Sequence, residues 1–269
     1  MSVLPHTNNA VASSSKVRMK IDVTSDVISP FCLIGMKQLQ AAVEKFRALH
    51  PSVCLEPTIR FLPFELNPGL SEVPVSRRLV LEKKFGKERA TAIIAMVDEK
   101  LRALGVEPHR GNPDPLRASD TLTSSTHLVH RLQTYTLLHH PDLQLALAMD
   151  LLTAYHQSGF PPSDRQTLAD IAVKHRVFPS RDDALRFLEG DECDAAVRRA
   201  YVISHTLGVT GVPFFVFQDQ YAARGAMGVD EFVSSDADET HTLSPRGNPN
   251  PLSKTRLITP SSEAGTNTS

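Results

Sequence analysis

The chain has 269 residues, 41% of them hydrophobic, enough to bury a substantial core as one large domain or two small ones. A formal net charge of -1 leaves no electrostatic footprint for nucleic acid or for an anionic membrane surface. No run approaches the roughly 18 uninterrupted apolar residues of a spanning helix, so neither nucleic acid nor membrane is expected as a partner.

The first twenty residues hold no Asp or Glu and lack the apolar stretch of a secretory signal. Residues 1–17 are expected to be a disordered lead-in, with a mitochondrial transit peptide as the alternative. Met19, Ile21 and Val23 then alternate with polar residues as a strand does. From Cys32 the spacing turns helical, through Met36, Leu39, Val43 and Phe46, until Pro51 stops the run. Thr58 to Phe64 is expected as a second strand, with Ile59 and Phe61 on one face. A strand, a helix and a strand over residues 18–68 make a βαβ unit with parallel strands.

Residues 69–207 are expected to be helical throughout. Ile94, Val97, Leu101 and Leu104 form one amphipathic stripe, and further helices are expected over Ser124–Leu138, Leu143–His156, Arg165–His175, Arg181–Leu188 and Glu192–Leu207. The loop Gly111-Asn112-Pro113-Asp114-Pro115 breaks this block near its middle. Strand signals return in 208–235: Phe214 to Phe217 is a short buried strand, Gln218 to Gln220 a turn, Tyr221 to Arg224 the returning strand, and a brief helix follows. Residues 236–269 collapse into Ser, Asp, Thr, Pro and Asn and are expected to be a disordered tail.

The chemistry concentrates at the junction of the first strand and first helix. Ser29-Pro30-Phe31-Cys32 has the spacing of a C-x-x-C redox motif with serine in the first position. A group there meets the unpaired N–H groups of a helix N-terminus, which stabilise a thiolate or alkoxide. A Ser-x-x-Cys pair has no dithiol to oxidise. Ser29 also reads as a helix N-cap and Cys32 as a small buried apolar residue. The cysteines Cys32, Cys54 and Cys193 are odd in number and sparse, which fits a reducing compartment, and the cytoplasm is expected. Nothing ties Cys54 or Cys193 to the motif. No Cys/His spacing matches a zinc site; His127 and His130 share a helix face but have no third ligand, so no metal is expected.

Four ordered segments carry a resemblance: Ser29-Pro30-Phe31-Cys32 with Ile34-Gly35, Pro63-Phe64-Glu65-Leu66-Asn67-Pro68, Val129-His130-Arg131-Leu132, and Leu207 to Val216 containing Gly211-Val212-Pro213. Together they resemble the DsbA-like branch of the thioredoxin superfamily, closest to the FrnE-like, 2-hydroxychromene-2-carboxylate isomerase and kappa-class glutathione transferase group. The resemblance implies an α/β, thioredoxin-like fold with a large all-helical insertion between its βαβ and ββ halves.

It also implies a cis-proline at Pro213, whose alternative is an ordinary trans proline starting a strand. Val212 beside it would offer its backbone to the γ-Glu-Cys part of glutathione or to a protein thiol. Ser29 would hydrogen-bond the glutathione thiolate, Cys32 would stand in the resolving position, and Pro30 and Phe31 would complete the binding turn. His130 would face the cleft or pack against the sheet. The function implied is a DsbA-like oxidoreductase acting with glutathione as cosubstrate. The alternatives are a kappa-type glutathione transferase or isomerase acting on a small hydrophobic electrophile, and a non-catalytic binding or accessory protein. A homodimer is the assembly common among relatives. Three departures stand out: Ser29 for cysteine, Met227 where relatives have glutamine in a cleft turn, and a final helix so short that an apolar sheet face would be exposed.

Overall fold

The computed structural model describes residues 15–109, 121–233, 241–242 and 256–258. The Gly111–Pro115 loop lies outside them, as does most of the segments 1–17 and 236–269.

The first strand, β1 (Ser15–Ser25), leads into the first helix, α1 (Pro30–Leu49), and the chain returns as β2 (Val53–Pro63). The two strands run parallel over eleven residues, from Ser15 against Val53 to Ser25 against Pro63. The lead-in expected to be disordered therefore gives up Ser15, Lys16 and Val17 to the sheet. Alternation continues back through them, and Lys16 pairs with Glu56 on the exposed side.

Two residues of strand, β3 (Val75–Ser76), pair with β4 (Leu122–Thr123) at the base of the insertion. Between and after them come α2 (Arg77–Phe85), α3 (Lys87–Ala103), α4 (His127–His139), α5 (Pro141–Ser158), α6 (Arg165–Lys174), α7 (Arg181–Glu189) and α8 (Asp194–Thr206). β5 (Phe214–Phe217) and β6 (Tyr221–Arg224) then form the expected hairpin, closed by α9 (Val229–Val233). β5 runs antiparallel to β1, so β1 lies between β2 and β5.

The segment expected as a disordered tail contributes two strands among the described residues, β7 (His241–Thr242) and β8 (Arg256–Ile258). β8 lies parallel to β6, giving a six-stranded order β2-β1-β5-β6-β8-β7. An unpaired edge of β6 offers free backbone donors and acceptors, which a strand of any composition can satisfy.

Two cores meet at the start of α1. One lies between α1 and the sheet and holds Ile21, Leu33, Met36, Phe61 and Phe215, all essentially inaccessible. The other fills the insertion, around Leu132, Leu147, Leu151, Tyr155 and Leu168. Val27 and Ile28 belong to the second core although they precede α1. The Ser29 turn is thus fixed from both sides.

Candidate active site

Ser29 is the N-cap of α1, with extended backbone at φ -83° and ψ 110°. Its Oγ accepts the Cys32 N–H at 3.3 Å, and Pro30 sits in the first turn, where its missing N–H costs nothing. A serine hydroxyl can donate while it accepts, and the Ser29 hydroxyl also lies within reach of the Cys32 sulfur. Ser29 is 3% exposed and Cys32 0%. Burial pushes the Cys32 thiol up to about 11, against the opposing pull of the Ser25 and Ser29 hydroxyls and the Asp26 backbone. Cys32 is therefore a thiol at neutral pH despite its place at a helix N-terminus. Desolvation outweighs the dipole.

The Val212–Pro213 bond is cis, as the resemblance implies. Pro213 packs against α1 at Gly35, less than two turns past Ser29. A β-carbon built on Gly35 would stand 3.1 Å from Pro213 Cγ and 3.4 Å from Ala226 Cα, so only glycine permits this approach without displacement. The Pro213 carbonyl accepts the Gly225 N–H at 2.9 Å. No backbone hydrogen bond to Val212 is present among the described residues. Pro30, Phe31 and Val212 are half-buried, and Phe31 and Val212 pack against the sheet-side core. Met227, expected in the cleft turn, is instead 1% exposed within the sheet-side core. An unbranched apolar side chain fills a gap there that an amide could not.

Behind the turn lie ionisable groups that sequence spacing did not reveal. Asp26 is wholly buried, its Oδ2 accepts the Leu66 N–H at 2.8 Å, and burial raises its carboxyl to about 7. His130 is wholly buried on α4, which packs against β2. Its Nδ1 is 2.6 Å from the Tyr201 hydroxyl on α8, and its Nε2 lies 3.6 Å from Asp26 Oδ1. Burial, aided by the charge of His127, lowers its pKa to about 3. His156 on α5 is equally buried, lies beside the Ser29 backbone and is lowered to about 3, by burial first and Arg77 second. A signal for Asp26 was present, a carboxylate three residues before Ser29 in an otherwise apolar turn. Tyr201 and His156 reach the site only through tertiary packing. His127, expected to share a face with His130, does so, and both meet Tyr201.

Cys54 and Cys193 lie away from the turn as half-exposed free thiols. Cys193 was expected inside a helix; it is the N-cap of α8, in left-handed conformation at φ 68°. Among the described residues no group of three His, Cys, Asp or Glu side chains could hold a metal ion.

A family model described as a DSBA-like thioredoxin domain matches residues 20–235. The chain belongs to that family. Three solved structures illustrate the likeness of this DSBA-like chain. A probable DsbA oxidoreductase from Streptomyces coelicolor is 22% identical, with 85% of this chain and 94% of that one covered and a TM-score of 0.65. The cytosolic disulfide reductase DsbM from Pseudomonas aeruginosa is 16% identical over 73% of this chain and 83% of its own, with a TM-score of 0.48. A 2-hydroxychromene-2-carboxylate isomerase is 13% identical over 77% of this chain and 89% of its own, with a TM-score of 0.49. No curated protein sequence matches the chain. At these identities the first structure supports the shared fold, and the other two carry no argument further. The family is that of DSBA-like thioredoxin domains, and the fold is a thioredoxin-like sheet with a helical insertion.

Proposed function

We propose that this DSBA-like protein performs thiol chemistry in which glutathione, not a protein cysteine, supplies the reacting sulfur. The observation that carries it is the split between Ser29 and Cys32. Both side chains are buried; desolvation holds Cys32 as a neutral thiol, whereas Ser29 carries a hydroxyl that can donate to an anion and caps the helix whose N-terminus favours one. A thiolate bound at Ser29 is stabilised by that hydroxyl and by the first-turn N–H groups. The unpaired Val212 backbone supports pairing with the cysteinyl backbone of glutathione.

Two reactions use such a thiolate: exchange with a disulfide and addition to an electrophilic carbon. The first needs a second sulfur to resolve the mixed disulfide, and Cys32 in its buried state is slow to serve. The second needs none. The burial of Cys32 therefore favours the transferase or isomerase form over the oxidoreductase form. Phe31 and Val212 supply an apolar wall for a small hydrophobic substrate.

Calorimetric titration with reduced glutathione tests the reading. Saturable binding is expected in the wild type, weakened about tenfold in Ser29→Ala, the loss of about one charge-assisted hydrogen bond. Absence of wild-type binding would overturn it and leave a non-catalytic groove.

A further inference from the structure

Five side chains from three parts of the chain make one continuous line from the protein interior to solvent. Asp26 Oδ1 is 3.6 Å from His130 Nε2, and His130 Nδ1 is 2.6 Å from Tyr201 Oη. Tyr201 Oη is 3.3 Å from His127 Nδ1, and His127 Nε2 is 2.8 Å from Asp194 Oδ1. Exposure rises along the line: side chains are 0% accessible at Asp26 and His130, 18% at His127 and 34% at Asp194. Asp194 in turn is paired with the solvent-facing Arg198 at 2.8 Å.

With neutral rings the hydrogens along this line can run in either direction, and the ionised Asp194 carboxylate, which must accept from His127 Nε2–H, selects one. Asp26 O–H faces His130 Nε2, His130 Nδ1–H donates to Tyr201, Tyr201 O–H donates to His127 Nδ1, and His127 Nε2–H donates to the Asp194 carboxylate. Each environment agrees. Burial keeps Asp26 protonated up to about 7 and His130 neutral, while Arg198 and His127 hold Asp194 ionised. Among the described residues neither Asp26 Oδ1 nor His130 Nε2 has a hydrogen-bond partner, and a ring movement of less than about 1 Å would bring the two within bonding distance. The remaining groups facing the line are the Thr126 hydroxyl beside Asp26 and Glu65, which opposes further negative charge at Asp26 and Tyr201.

We propose that Asp26, His130, Tyr201 and His127 form a proton path, contributed largely by the helical insertion, that connects the Ser29 turn to solvent at Asp194. Its entry rests on the thiol reading of that turn: the Asp26 backbone carbonyl accepts the Ser29 N–H at 3.1 Å, and the Asp26 carboxylate lies close enough to the turn for its charge to raise the Cys32 thiol. When a thiol at the turn ionises, its S–H bond breaks and the proton passes to the Asp26 carboxylate. Asp26 has released its own proton to His130 Nε2. His130 passes Nδ1–H to Tyr201, Tyr201 passes its proton to His127 Nδ1, and His127 passes Nε2–H to Asp194 and water. One proton enters, one leaves, the thiolate remains, and no electron changes owner.

The path is tested first without ligand, by NMR measurement of solvent exchange at the His130 ring N–H. Fast exchange is expected for so buried a ring, slowed at least tenfold in Tyr201→Phe and in the half-exposed His127→Gln, with fold checked by circular dichroism. Tyr221→Phe, remote from the line, leaves it unchanged. Protected exchange in the wild type, or equal exchange in wild type and both variants, overturns the path. With glutathione and an indicator dye, both variants are expected to slow proton release at unchanged affinity; release at the wild-type rate overturns it. If glutathione does not bind, the thiol reading falls while the ring exchange still decides the path.

Discussion

Asp26, His130 and His156 are held in the protonation states that burial imposes, and this makes stability depend on pH in a calculable way. Asp26, raised to about 7, keeps in the folded state a proton that the unfolded chain releases above about 4. His130, lowered to about 3, lacks in the folded state a proton that the unfolded chain binds below about 6.5. Between about 4 and 6.5 these two differences cancel. His156, also lowered to about 3, has no such counterpart. As pH falls below about 6.5 the unfolded state gains a proton there that the folded state refuses, and stability drops by about 1.4 kcal/mol per pH unit. Urea unfolding from pH 7.5 to 4.5 is expected to show this decline in the wild type and a flatter one in His156→Leu. In Asp26→Asn the offset to His130 is gone, so the decline steepens. A slope unchanged in both variants would mean these groups do not govern acid stability.

The elements were legible where their ends carry capping chemistry. α6 starts at Asp164, whose Oδ1 accepts the Gln166 N–H, and α7 at Ser180, whose hydroxyl accepts the Asp183 N–H. The hairpin of β5 and β6 announced itself by an apolar run and a turn. β2 was expected from Thr58 and begins at Val53, because Cys54 and Pro57 read as connection; parallel pairing with β1 recruits them all the same. α2 was not singled out because it buries no residue and so has no periodic stripe.

Gln144 shows what element-level patterning hides. It is a fully buried amide on α5 that accepts the Phe61 N–H at 3.0 Å and donates to the Phe61 carbonyl at 2.9 Å and the Gln133 carbonyl at 3.2 Å. One side chain thus pairs the free side of β2 as a neighbouring strand would. Gln144→Met keeps the volume and strands the Phe61 N–H and carbonyl away from water, while the Gln133 carbonyl keeps its bond within α4. A loss of roughly 2–4 kcal/mol in denaturant unfolding is expected, and a loss below about 0.5 kcal/mol would show that those groups find other partners.

At the scale of the molecule, the sequence does not show what the helical insertion does where it meets the sheet. The residues that gather behind Ser29 come from the turn after β1 and from α4, α5 and α8, and periodicity within any one of them is silent about the others. The same limit applies to the closing helix. Its five residues were expected to leave an apolar sheet face uncovered. Phe232 closes much of that gap, its ring meeting Phe215 edge-on at 5.4 Å and Phe217 at 6.3 Å. Asp230 reaches Lys45 on α1, and Glu231 accepts the Gly228 N–H at 2.7 Å, so the first turn of the short helix is held in place. One aromatic ring thereby substitutes for turns of helix. Phe232→Ala is expected to cost about 2–3 kcal/mol, toward the low end for a phenylalanine because the ring is only half-buried. The same variant should increase binding of a hydrophobic dye to the native state, since the faces of Phe215 and Phe217 become accessible. Destabilisation without added dye binding would mean that neighbouring chain collapses onto the sheet in place of the ring.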